Sequence, residues 1–283
     1  MSTIISLDNG TANAKISSLG AQLLSFCSGE TEYMWQADEN VWGFTAPVLF
    51  PICGSLNGGR YIYKGNGYEL PPHGFARFME FEIEKSTDTK AYFLLKSTDA
   101  IKKQYPFDFE FRVVFELTGK RLDITYSVIN TGENEMYFSF GSHEGYACPE
   151  GADQYTVKFE KDSVLTRHML ENSFFNGQTE QIRLENNTLA LDYSEFEKCT
   201  YVFRNINSKS VILANENRKI RIGFPGYTTL AIWTLPFRKY VCIEPWCGSS
   251  EKKGFDGDIS KKDGILCIKP FQTFERTHFA EIL

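Results

Sequence analysis

The chain has 283 residues and a formal charge of −6, with 42% of residues hydrophobic and 23% charged. That balance excludes a disordered polar chain, and the acidic excess excludes a basic nucleic-acid footprint. No run approaches the ~18 apolar residues of a spanning helix, so no membrane partner is expected. The opening MSTIISLDNG also lacks the basic and apolar regions of a secretory signal, which predicts a cytoplasmic protein.

In chain order, strands are predicted at 81–84 and 92–96, then a turn or two of helix at 100–104. From Phe107 the pattern has period two. Phe107, Phe109, Phe111, Val113, Phe115 and Leu117 share one face, and Asp108, Glu110, Arg112 and Glu116 take the other. Thr118-Gly119-Lys120 leads into Leu122, Ile124, Tyr126 and Val128, which predicts a hairpin. Met136, Phe138 and Phe140 begin a third alternation. Further strands are predicted at 155–159, 201–203, 211–213, 219–224, 230–233, 240–244 and 265–269, with one short helix at 193–197. Many short strands between Asn, Gly, Asp and Pro clusters predict an all-β sandwich or barrel. With no repeat or linker in sight, one domain over 1–283 is expected.

The seven cysteines form no CxxC pair. That spacing fits neither a zinc site nor a complete disulfide framework, so free thiols in a reducing compartment and no metal are expected. The Gly-rich stretch at 54–59 lacks the Lys-Ser/Thr ending of a phosphate loop. Asp256-Gly257-Asp258 lacks the spacing of a calcium loop. No cofactor is expected.

The chemistry-bearing candidates sit in loop-like flanks. His73 lies in PPHGFAR, and His143 lies in FGSHEGY, where glycine on both sides admits a close approach of backbone or ligand. An imidazole there, near its ordinary value of ~6.5, is expected to hold a proton close to neutrality. Glu244 ends the apolar run YVCIE before Pro245 and Trp246. Desolvation there is expected to raise its pKa and make it a base near working pH. The bland reading is a strand-end glutamate satisfied by an amide or an arginine. Trp246 is the better sugar platform, whereas core packing competes for Trp233. Arg60 and Arg77 are candidate donors to ligand hydroxyls, with surface salt bridges as the competing reading.

Taken together, PVLFPICGSLNGGRY, HGFAR, GSHEGY and IEPWCG, in that order, resemble the aldose 1-epimerase (galactose mutarotase-like) family. The bacterial lactose-operon-associated branch fits best, and the resemblance covers essentially the whole chain. It implies a large antiparallel β-sandwich with a sugar cleft and a small-molecule aldose as partner. It further implies Glu244 as general base, His143 as general acid, His73 as a cleft histidine and Arg77 as a substrate contact. Two positions depart from the family pattern. Ser55 stands where galactose mutarotases carry an arginine, and Phe196-Glu197-Lys198-Cys199 stands where relatives often carry a sugar-binding aspartate. Rival readings are a non-catalytic sugar-binding module, a hexose-6-phosphate epimerase with Arg60 and Arg77 as its cations, and a glycoside hydrolase. The last needs a second carboxylate, and none stands out. No oligomeric state is assigned.

Overall fold

The computed structural model describes residues 2–283. The longest predicted hairpin is present: Phe109–Thr118 pairs antiparallel with Arg121–Asn130 through ten residue pairs. Gly119 at φ 56° and Lys120 form its two-residue turn, because such tight turns need a positive φ that glycine supplies at no steric cost. Phe109, Phe111, Val113, Phe115 and Leu117 are all buried, as the alternation requires.

This hairpin lies within a nine-stranded antiparallel sheet, third and fourth from its Glu82–Ser86 edge. A second sheet of eight strands has Thr229–Trp233 and Tyr240–Cys247 at its heart. The two sheets pack face to face through aromatic rings. Phe50 stacks on Phe111 at 4.4 Å, Tyr126 meets Phe140 at 5.5 Å, and Phe159 meets Phe203 at 5.9 Å. Each buried Phe of this kind contributes roughly 1.5–3 kcal/mol by leaving water. The sandwich expected from the resemblance is therefore the fold.

The third predicted alternation is split. Met136–Phe138 pairs with Leu266–Ile268, whereas Phe140–Ser142 joins the eight-stranded sheet. Ser139 makes the step: its N–H donates to Pro51 O and its hydroxyl accepts from Cys53 N–H. Several regions contain strands that the sequence reading left unassigned. They include a four-stranded N-terminal sheet over Ile4–Asp8, Asn13–Ser17, Gln22–Ser28 and Thr31–Glu32, the hairpins Arg60–Tyr63/Asn66–Glu69 and Val164–Glu171/Phe174–Arg183, the short strand Glu144–Ala147, and the C-terminal strand Thr273–Ile282. The second hairpin turns at Asn172 and Ser173, both at positive φ (51° and 70°). The predicted helices are Asp99–Lys102 and Tyr193–Lys198, N-capped by Thr98 and Asp192. No helix among the described residues is long and apolar enough to cross a membrane.

Candidate active site

Glu244 does not end its strand, as the sequence reading expected. The strand runs on from Tyr240 through Pro245 to Cys247. Proline is normally kept out of central strands because it cannot donate to the ladder. Here the neighbouring segment is accommodated around it. Phe140 and Gly141 pair with Cys247 and Trp246, and Glu144 to Ala147 resume the same register opposite Ile243 to Tyr240. Between them, Ser142 and His143 make no ladder pair with this strand. That register sets His143 directly across from Glu244, and opposed residues of an antiparallel pair share a face.

Alternation then divides the sheet. His143, Glu244 and Trp246 face outward, whereas Glu144, Ile243 and Cys247 face the core. The outward groups line a cavity of about 220 Å³ with Gly54, Ser55, His73, Trp233 and Ser250. That is smaller than the roughly 300–1,000 Å³ of sites for drug-sized ligands, and it fits one sugar ring. Leu170 and Ser173 bring the turn of the second hairpin to its rim.

His143 Nε2 stands 3.4 Å from Glu244 Oε1, with side chains 12% and 3% exposed. His143 Nδ1, Glu244 Oε2 and Trp246 Nε1 are buried without a hydrogen-bond partner. An unpaired buried polar group costs roughly 1–3 kcal/mol, so three of them around one cavity point to a ligand that satisfies them. Burial pushes the Glu244 carboxyl well above its ordinary value, and the Glu144 carboxylate on the opposite face of the sheet adds to the rise. The Trp246 indole N–H favours the charged form without reaching hydrogen-bond geometry. The expectation for His143 is corrected. Burial first, then the neighbouring His73 and Arg77, drives its pKa well below 6.5, so the isolated imidazole is neutral.

His73 is in the cleft as expected. Its backbone adopts φ 63° in a turn closed by Gly74 N–H on Pro71 O. Gly74 is required there, because a Cβ would lie 2.2 Å from Phe50 O at φ 73°. Gly54 N–H donates to His73 Nδ1 at 3.2 Å, which leaves the proton of the neutral ring on Nε2. Burial lowers this histidine to about 3. Its ring meets His143 at 5.5 Å and Trp246 at 5.8 Å.

The other candidates are placed differently. Trp246 lies in the cleft wall but is only 4% exposed, packed with Leu49, Cys53, Phe175, Val202 and Ala231. Trp233 is the more open ring, and Trp42, which no sequence signal marked, covers His143 at 5.0 Å and stacks on Tyr240 at 5.3 Å. Both glycines beside His143 serve aromatic neighbours. A Cβ on Gly141 would meet Trp246 Cδ1 at 2.5 Å, and one on Gly145 would meet Trp42 Cζ3 at 2.7 Å. Arg77 does not line the cavity. It donates to Pro72 O and stacks on Phe78 at 4.7 Å, bracing the His73 turn. Arg60 is an exposed hairpin residue paired with Glu69, away from the cleft. Cys199 is tied to Leu170 through its thiol, which accepts Leu170 N–H at 3.2 Å, and the next residue, Thr200, lines the cleft.

Behind the site, a buried chain of polar groups links both sheets. His278 Nε2 meets Glu144 Oε1 at 2.7 Å, His278 Nδ1 meets Tyr227 OH at 3.0 Å, and the Ser142 hydroxyl donates to Glu144. Glu144 and His278 are 2% and 1% exposed.

A sandwich of two large antiparallel sheets of this kind has known counterparts. A family model described as aldose 1-epimerase matches residues 3–257, and the chain belongs to that family. It is 29% identical to the chromosomal LacX protein of Lactococcus lactis subsp. lactis over 99% of both chains. Among solved structures, it resembles a galactose mutarotase related enzyme from Lactobacillus acidophilus, with TM-score 0.95, 30% identity and coverage of 99% and 97% of the two chains. It also resembles a galactose mutarotase-like protein from Lactobacillus casei ATCC 334, with TM-score 0.94, 25% identity and coverage of 99% and 100%.

Proposed function

We propose that this chain is an aldose 1-epimerase acting on an unphosphorylated sugar, with Glu244 and His143 as its acid/base pair. The observation that carries this reading is the 3.4 Å cross-strand pair with a free Oε2 and a free Nδ1 at a ring-sized cavity. Interconverting anomers means opening a hemiacetal and closing it on the other face. Opening needs a base at the C1 hydroxyl and an acid at the ring oxygen. Closing needs a donor to the carbonyl oxygen and an acceptor for the C5 hydroxyl proton.

One proton shared by the pair serves both directions. The form with carboxylate and imidazolium opens the ring: Glu244 takes the C1 hydroxyl proton and His143 gives its own to the ring oxygen. The pair is then carboxylic acid and neutral imidazole, which is the form burial favours and the form that closes the ring. Each positioned proton-transfer group typically contributes ~10²–10⁴-fold, or roughly 2.7–5.4 kcal/mol.

The lining speaks against the rivals. No lysine or arginine lines the cavity among the described residues, which disfavours a phosphosugar. The nearest second carboxylate along the sheet, Glu144, faces the core against His278, which removes the partner a glycoside hydrolase needs. Exchange NMR across free and phosphorylated aldoses tests the reading. Faster anomer exchange on a free aldose is expected. Binding without acceleration identifies a sugar-binding module, and acceleration restricted to phosphosugars overturns the substrate class.

The pH profile follows from the shared proton. Burial penalises both the doubly deprotonated pair, which is anionic, and the doubly protonated pair, which is cationic. The singly protonated window therefore widens on both sides. A bell-shaped kcat/KM profile is expected, with its acid limb below the ordinary imidazole value of 6.5 and its alkaline limb above the ordinary carboxylate value of 4.5. An acid limb at or above 6.5, measured by polarimetry on the best substrate, contradicts it.

A further inference from the structure

Strand pairing brings a third group to the acid/base pair. Cys242 lies two residues before Glu244 on the same face, and one ligand-type atom from each of His143, Cys242 and Glu244 falls within 4.8 Å of the others. The geometry points to a site for a soft divalent cation of the zinc class, held by His143, Cys242 and Glu244, that excludes the sugar and inhibits the enzyme reversibly. The inhibitory half rests on the function proposed above; the binding half does not.

Three observations support it. Two ligands about 2.0–2.1 Å from a tetrahedral ion stand roughly 3.4 Å apart, which is the His143–Glu244 separation. A thiolate at its bond length of about 2.3 Å from the same ion would stand roughly 3.5 Å from the other two ligand atoms, and the three ligand atoms already lie within 4.8 Å of one another. Second, Glu244 Oε2 and His143 Nδ1 are buried without partners, so Glu244 has a lone pair uncommitted to any protein donor. Third, one thiolate, one carboxylate and a neutral imidazole make an electroneutral cluster around a dication, which is the arrangement a dry site accepts at least cost. On binding, the Cys242 S–H bond breaks and an S–metal bond forms, and the proton shared by Glu244 and His143 is displaced as their oxygen and nitrogen bond the metal. Both protons leave to solvent, and nothing is oxidised or reduced. Cys242 is fully buried behind the cavity wall, so the ion enters past His143 and Glu244, which line the cavity. The expectation of no metal came from spacing along the chain, and ligands set across a strand ladder leave no such signature.

Cobalt(II) is the probe, added to the reduced full-length chain. One equivalent is expected to give the near-ultraviolet thiolate-to-cobalt charge-transfer band and the visible bands of a tetrahedral site, both erased by zinc. Cys242→Ser, or Cys242→Ala should the first variant fold poorly, is expected to lose the thiolate band. Cys267→Ser, which removes the exposed thiol, is expected to keep it. No thiolate band in the wild type, or a band that survives loss of Cys242, overturns the site. Zinc is further expected to raise KM for the sugar with little change in kcat. Relative to each protein's own zinc-free rate, the inhibition constant should weaken at least about tenfold in Cys242→Ser. Zinc that binds without inhibiting overturns the exclusion of sugar. If no aldose is turned over at all, the proposed function fails while the cobalt spectra still decide the metal site.

Discussion

Replacing Glu244 by Gln or His143 by Asn is expected to slow anomer exchange by roughly 10²-fold or more, with the thermal midpoint nearly unchanged. Glu244→Gln keeps the shape of the side chain and removes the basic carboxylate that the proposed mechanism uses on the C1 hydroxyl. His143→Asn keeps a polar group beneath Trp42 and removes the proposed donor to the ring oxygen. In that mechanism both groups handle one proton, so the losses should not add. The double variant should be little slower than the poorer single one. Wild-type turnover in both variants, measured by exchange NMR on the best substrate, overturns the assignment. Full additivity would instead separate the two groups into independent roles.

The largest effect on stability is expected at Glu144. Its carboxylate accepts from Ser142 and meets His278 while 2% exposed. Glu144→Ala strips both partners, and removing one member of a buried polar or ionic pair typically costs about 3–5 kcal/mol. For a chain of this size that corresponds to a fall in Tm of roughly 6 °C or more. Glu144→Gln, which retains an acceptor, should lose much less. Thermal unfolding followed by circular dichroism checks both. A wild-type midpoint for Glu144→Ala would mean that the buried chain does not hold the two sheets together.

The parts of the fold legible in the sequence are those where apolar residues alternate without interruption. The Phe107–Leu117 stretch is the clearest, and its hairpin has the expected register. The Thr273–Ile282 strand was missed for the opposite reason. Its inward row is Phe274, Arg276, His278, Ala280 and Ile282, and the two polar members hide the period. The Val164–Glu171 strand is hidden by Arg167, which is 0% exposed and donates to Glu195 and to backbone carbonyls at the end of the Tyr193–Lys198 helix. At the site, the motifs brought forward Glu244, His143 and His73, which the fold does assemble. They also brought forward Arg60, whose partner Glu69 comes from a local hairpin. Trp42 reaches the site only through packing over a long separation, so no local pattern announces it; Glu144 and Cys242 stand beside His143 and Glu244 in the chain, but their partners across the sheets are set by long-range pairing. The lowered pKa of His143 likewise depends on burial that no neighbour in sequence reveals.

Pro245 gives the sheet a mechanical property at its chemical centre. On either side of it the strands are locked by paired residues, Gly141 with Trp246 and Glu144 with Ile243. At Ser142 and His143 there is no such lock. The segment carrying His143 and the segment carrying Glu244 are thus stitched firmly above and below, with an open stitch between them. A fractional-ångström change in their spacing, such as the proposed acid/base chemistry would use, breaks no backbone bond and leaves the seam on each side intact. A residue with an amide hydrogen at 245 would close that stitch, so the imino acid keeps compliance between these two side chains and stiffness everywhere around them.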